Sequence, residues 1–142
     1  MTPTPDSLQA LACQLEVAAA TVGRAAAALS ATAAALPWTG EAADACAGEL
    51  SRLRLALLRC QQRLLAAAEL ARRLAGRLAE ELAAIRRAEQ DVLGVLSGLA
   101  RSLVHEATDD TRRIYDALRR DLPDPGSPAW TALAARLPGR RP

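Results

Sequence analysis

Between Glu41 and Val104 the sequence holds no proline and sets an apolar residue at every seventh position: Ala43, Leu50, Leu57, Leu64, Ala71, Leu78, Ile85, Val92 and Leu99. Seven residues are two turns of α-helix, so the row falls on one face of one long helix. A companion row reads Cys46, Leu53, Cys60, Ala67 and Leu74, and drifts by one position to Leu82, Leu96 and Leu103. Such drift is expected, because 3.6 does not divide seven. A helix of this length spans roughly 95 Å at 1.5 Å per residue, so a break is expected near Gly94 or Gly98. Gly94 and Gly98 also permit close helix approach, but a weak point in the helix is the simpler reading.

The segment before it has the same period. Asp6 or Ser7 suits an N-cap. Three rows follow: Leu8, Leu15, Val22, Leu29, Leu36; then Leu11, Ala18, Ala25, Thr32; then Ala12, Ala19, Ala26, Ala33. The result is a broad stripe of small residues along which a second helix can lie close. The helix ends near Leu36, because Pro37 disfavours helical geometry before it and has no N–H. Gly40 frees the backbone for a turn, and Glu41 and Asp44 suit the positive end of the next helix. So short a link makes the two helices antiparallel, with the first covering the second to about residue 68.

Thr108, Asp109 and Asp110 open a third helix at about 109–121, with Ile114, Tyr115, Leu118 and Leu122 on its apolar face. The linker "PDPGSP" follows. Ser127 and Pro128 suit N-cap and N1 of a short last helix whose face is Trp130, Leu133, Ala134 and Leu137. The fold class is therefore all-α: an antiparallel helical hairpin plus one or two shorter C-terminal helices. The organisation reads 1–104 hairpin, 105–122 third helix, 123–142 linker, short amphipathic helix and tail.

Composition narrows the function. The chain has 142 residues, two Trp, one Tyr and no Phe. It supports a single core, a thin helix–helix seam of Ala and Leu. Every one of its 18 basic residues is Arg, set against 16 acidic ones and interspersed with them. A nucleic-acid surface needs a basic face with interleaved aromatics, and none is present. The pairs Arg72-Arg73, Arg86-Arg87, Arg112-Arg113 and Arg119-Arg120 read as solvated faces near acids. Residues 1–7 carry no basic residue, which argues against a Sec signal peptide. The longest uncharged run, Ala25 to Gly40, is too short to span a bilayer and contains Pro37. Membrane contact is not expected, since no Lys/Arg-rich polar face borders aromatics.

No catalytic, cofactor-binding or metal-binding residues are assigned. The sequence shows no nucleophile–base pair, no phosphate-binding Gly loop and no ligand spacing around the lone His105. Cys13, Cys46 and Cys60 are an odd number without a Cys-x-x-Cys, and read as small buried apolar residues. One geometric option remains, a Cys13–Cys60 bridge if the turn centres on Thr39. Leu55, Leu58 and Leu65 lie about a third of a turn off the main stripe, and one facing helix cannot cover both arcs. Either the C-terminal helices fold back over them or a partner does; they are the candidate partner interface. Trp130, Leu133 and Leu137 form a candidate docking helix, onto the hairpin or onto another protein.

A helix, a Trp38-Thr39-Gly40 turn at the first break, and a second helix opening with "EAADAC" resemble the small Trp-x-Gly (WXG) family of type VII, or ESX, secretion systems. The resemblance covers roughly residues 6–90. It implies a non-enzymatic hairpin that pairs, as homo- or heterodimer, with a second hairpin into a four-helix bundle and is exported by the type VII machinery without a Sec signal. It also implies that Trp38 and Gly40 belong to the secretion-linked turn. Trp38 can equally plug the open end of the hairpin, and the two roles are compatible. Actinobacterial members add a Tyr-x-x-x-Asp/Glu tail signal. Here the only tyrosine, Tyr115, is followed four residues on by Arg119. The alternative is accordingly a cytoplasmic helical adaptor or chaperone for a secreted effector or toxin.

Overall fold

The computed structural model describes residues 3–35, 37–105 and 108–137. They form four helices and, among the described residues, no strand: α1 Pro5–Ala34, α2 Glu41–His105, α3 Asp109–Arg120 and α4 Ala129–Ala135. The chain divides into two compact units, Met1–Leu78 and Ala79–Pro142, and α2 contributes residues to both.

α1 starts earlier than its Asp6 or Ser7 signals suggest. Thr4 is the N-cap, and its Oγ1 accepts from the Ser7 N–H at 3.1 Å. Ser7 returns the bond, its Oγ accepting from the Thr4 N–H at 2.9 Å, and Pro5 occupies the first turn where no N–H is needed. The helix stops at Ala35, ahead of Pro37. Leu36, the last member of its first row, lies outside the described residues.

In the first unit the burial runs along one row of alanines. Ala12, Ala19 and Ala26 are at most 1% exposed. Ala12 packs with Ala68, Ala71 and Leu15, and the guanidinium of Arg72 meets Glu16 at 2.5 Å. A Cβ at Gly23 would stand 2.6 Å from the Gln61 amide nitrogen. Partners on α2 thus fall in number as those on α1 rise. Ala12 sits level with about residue 70, four or five positions beyond the register of a turn centred on Thr39. That shift removes the geometric basis for a Cys13–Cys60 bridge. Cys13 now lies near Arg72, about twelve residues along α2 from Cys60, roughly 18 Å of helix rise.

The second unit has a closed core. Ala88, Val92 and Leu96 of α2 meet Trp130, Leu133 and Ala134 of α4 and Leu137 just beyond it. Tyr115 and Leu118 of α3, with Ile85 and Val95 of α2, pack around this cluster. The Trp130 indole N–H donates to the Asp124 carbonyl at 2.8 Å, so the ring is buried without an unpaired polar atom. The expected break at Gly94 or Gly98 does not occur: α2 runs through both to His105. Packing of α4 over the preceding turns outweighs the roughly 1 kcal/mol that each helical glycine costs. α3 begins, as its signals indicate, with Thr108 capping the Thr111 N–H at 3.2 Å. α4 begins one residue later than expected, with Pro128 at the N-cap position and the Ser127 hydroxyl accepting from the Ala129 N–H.

Candidate functional site

Heptad positions make the surface of the first unit legible. Let a be the row Leu8, Leu15, Val22, Leu29 on α1 and Ala43, Leu50, Leu57, Leu64, Ala71, Leu78 on α2. Around a helix the order is then d, a, e, b, each next to the last. The buried residues Ala12, Ala19, Ala26, Ala68 and Ala75 all stand at e, and rows a are half-buried or buried. The seam between the helices therefore runs along a and e. The companion row of α2 stands at d, outside the seam. Leu53 and Leu74 are 54% and 52% exposed, Cys60 is exposed, and Cys46 and Ala67 are half-buried. The corresponding d row of α1, Leu11, Ala18, Ala25 and Thr32, is exposed throughout.

Row choice has a simple cause. Alanine at e along α1, and at Ala68 and Ala75 of α2, lets the backbones approach, and close approach leaves no room between them for the Leu-bearing d rows. Both d rows then emerge on the same side of the pair. The marker is the Glu16–Arg72 ion pair: both residues stand at b, and in an antiparallel pair like positions flank like sides. One side therefore carries Glu16 and Arg72. The other carries rows a and d of both helices, with no charged residue among them, bordered on α2 by the next row with Glu49, Arg63 and Arg77. This apolar, two-helix face is the candidate site.

The residues singled out from sequence fall elsewhere. Leu58 and Leu65 stand at b, in the row of Arg72, and Leu55 stands further round at f. Leu55 and Leu65 are about half-exposed and Leu58 is half-buried, so they lie on the flank opposite the uncharged face. The d rows were visible in the sequence as apolar rows beside rows a. Trp38 is 47% exposed, so about half of its surface is covered. Gly40 has φ of +108° and its carbonyl accepts the first helical bond of α2, from the Asp44 N–H at 3.0 Å. Only glycine enters that region without strain, so the glycine of the Trp-x-Gly triplet sets the entry into α2. Trp130, Leu133 and Leu137 are buried in the second unit and cover α2 there.

The cysteines are free, and against expectation Cys13 and Cys60 are exposed. The hydroxyl-bearing ring of Tyr115 lines a shallow groove of about 310 Å³ with Leu96, Ser97, Ala100, Arg119 and Leu122. No group of three His, Cys, Asp or Glu among the described residues is placed to hold a metal ion. α1 is long and apolar enough to cross a membrane, by length and composition. The uncharged run Ala25–Gly40 understated this, because α1 carries only Asp6, Glu16 and Arg24 along its whole length. Glu16, however, faces Arg72 of α2. The Arg72 guanidinium holds the Glu16 carboxyl below its ordinary value, chiefly through their hydrogen bond. No protein-family model, curated protein or solved structure matches the chain.

Proposed function

We propose that the chain is a non-enzymatic, type VII secretion-associated helical hairpin protein. Its working part is an antiparallel hairpin, α1 and α2, joined at the Trp-x-Gly turn. It pairs through its apolar d-row face with a partner hairpin and is exported in that form. The observation that carries this reading is the uncharged two-helix face. A two-helix layer whose d rows stand largely open to water leaves apolar side chains uncovered, and a second layer is the usual remedy. Trp38, half-exposed at the turn, supports the same reading as an aromatic available to another protein.

The test is export in a host that has a type VII system. Trp38→Ala is expected to lower the amount of protein in the culture medium, with helicity by circular dichroism unchanged. Equal export of variant and parent overturns the secretion reading.

A second reading is a cytoplasmic adaptor or chaperone for a secreted effector. It is favoured by Tyr115: its fourth neighbour is Arg119, and the ring packs beside the Val92–Leu96 core instead of standing in an open tail. Protein found only in the cytosol, bound to a secreted partner, selects this reading.

A further inference from the structure

We propose that the outward face of α2 in the first unit is a docking surface for an acidic α-helix of another protein. It lies apart from the uncharged face, and it stands whether or not that face pairs as proposed above.

Charge comes first. The whole chain has a formal net charge of +2, from 18 basic and 16 acidic residues. Residues 50–78 hold seven arginines and one acid, Glu69. That stretch is therefore +6 and the remainder of the chain −4. The two signs are interspersed elsewhere and segregated here.

Placement comes second. Row c of α2 stands opposite the a/e seam, and row g lies between c and d. Between residues 50 and 78 these two rows carry Arg52, Arg59, Arg63, Arg73 and Arg77, all exposed, and no acid. From Arg52 to Arg77 they form a straight ridge of about 38 Å at 1.5 Å per residue. α1 packs on the opposite side of the helix.

Pairing comes third. Arg52 meets Glu49 and Arg73 meets Glu69, each within α2. Among the described residues Arg59, Arg63 and Arg77 have no acidic partner. Instead Arg59 and Arg63 stand four apart, and Arg73 and Arg77 repeat the pair fourteen residues later. Like charges at that spacing weaken a helix, so the ridge costs the free chain stability. An opposing acid at each pair recovers it.

The spacing selects the occupant. The planar fork of arginine takes carboxylates in bidentate pairs. A helical partner rises by the same 1.5 Å per residue, so two Glu-x-x-x-Glu pairs fourteen residues apart meet both arginine pairs at once. The pattern reads the same in both directions, so either orientation fits. Leu70, 65% exposed and midway between Arg63 and Arg77 in row g, gives the contact an apolar centre inside a charged rim. No helix of this chain repeats an acidic i, i+4 pair, so the partner is a different chain. Rows c and g hold no aromatic for nucleic-acid bases to stack on, and one leucine is little apolar area for a bilayer.

The probe is a labelled alanine-rich peptide with two Glu-x-x-x-Glu pairs fourteen residues apart and a leucine between them. It is titrated with the full-length protein and followed by fluorescence anisotropy, against a peptide of the same composition with its glutamates scattered. The paired peptide is expected to bind at least ~10-fold tighter than the scattered one, with an affinity that falls as salt rises. Arg59→Gln combined with Arg73→Gln is expected to lower that affinity about 10-fold at unchanged helicity, since both side chains are exposed. Leu11→Gln, on the uncharged face, is expected to leave it unchanged. Absence of binding, equal binding of the two peptides, or tighter binding to duplex DNA or to phosphatidylglycerol vesicles overturns an acidic helix as the occupant. Peptide binding that the arginine variant keeps and Leu11→Gln loses overturns the ridge as the site.

Discussion

In Ala79–Pro142 the apolar face of α2 is covered from within: Trp130 and Leu133 of α4, and Leu137 just beyond it, pack with Ala88, Val92 and Leu96. In Met1–Leu78 the described contacts of the same helix are with α1, and the buried residues are alanines. The difference lies in side-chain volume. A tryptophan and two leucines on a helix of seven residues and the turn after it bury what a helix of 30 alanine-rich residues leaves open. An Ala seam gains little area per residue, but it brings backbones close and pushes larger side chains to its edges. The thin seam and the uncharged outer face of the first unit are therefore two consequences of one choice of residues.

Removing the large side chain breaks the comparison most sharply. Trp130→Ala deletes a ring that is 3% exposed and leaves the Asp124 carbonyl without its indole donor. The expected loss is about 3–5 kcal/mol in the second unit. Hydrogen exchange should show α3 and α4 losing protection while α1 and residues 41–78 of α2 keep theirs. Loss of protection across α1 as well would mean that the two units do not hold their stability separately.

Much of this contrast was legible in the sequence, and the illegible part has a definite cause. Rows every seven residues located α1 and α2, and Thr108 and Pro37 marked a helix start and a helix end. The row Trp130, Leu133, Leu137 was recognisable as one face. Which of two candidate rows lies in the seam was not. Cys46, Leu53, Cys60, Ala67 and Leu74 form an unbroken apolar row, whereas the row that is used contains Arg54 and Gln61. Apolar continuity favours the first and close approach favours the second. Only the positions of Ala12, Ala19 and Ala26 on the opposing helix settle the competition. Leu55, Leu58 and Leu65, chosen by their angle from row a, stand at f and b, on the flank that carries Arg72.

The opposite experiment thickens the seam of the first unit. Ala19→Leu inserts a large side chain where 1% of the residue is exposed and backbones lie close. Overpacking of this kind costs about 1–3 kcal/mol. Thermal unfolding followed by circular dichroism should show the first unit melting at lower temperature, with Trp130 emission unaffected at the same temperature. An Ala19→Leu protein as stable as the parent would show that the seam is not close-packed.

Gly40→Ala acts at the entrance to the seam and not along it. At φ of +108° an added Cβ is strained, although nothing stands within 4 Å of it. The expected cost is ~1–2 kcal/mol, confined to the first turn of α2 and the Trp38 segment. Protection of amides near Asp44 should fall while those at Ala68 stay unchanged. A stability equal to the parent's would show that the turn readily takes another conformation, and would separate the glycine from the placement of Trp38.

The smallest effect concerns the polar flank of the first unit. Glu16 and Arg72 are the ion pair that ties α1 to α2 across the side opposite the uncharged face. Arg72 lowers the Glu16 carboxyl below its ordinary value of 4.5. A carboxyl lowered on folding adds stability that is present above its unfolded value and is lost as pH falls through the folded one. The first unit should therefore weaken slightly below about pH 4, with a slope that Glu16→Gln abolishes and that added salt reduces. The pair is solvent-accessible, so the effect at neutral pH is small. Its value is diagnostic, because it involves one residue from each helix at a known level. A pH slope that survives in Glu16→Gln would place the titrating group elsewhere. A slope that survives in Trp130→Ala but not in Glu16→Gln would assign it to the alanine seam alone, which is the part of the molecule whose register decides which face remains open.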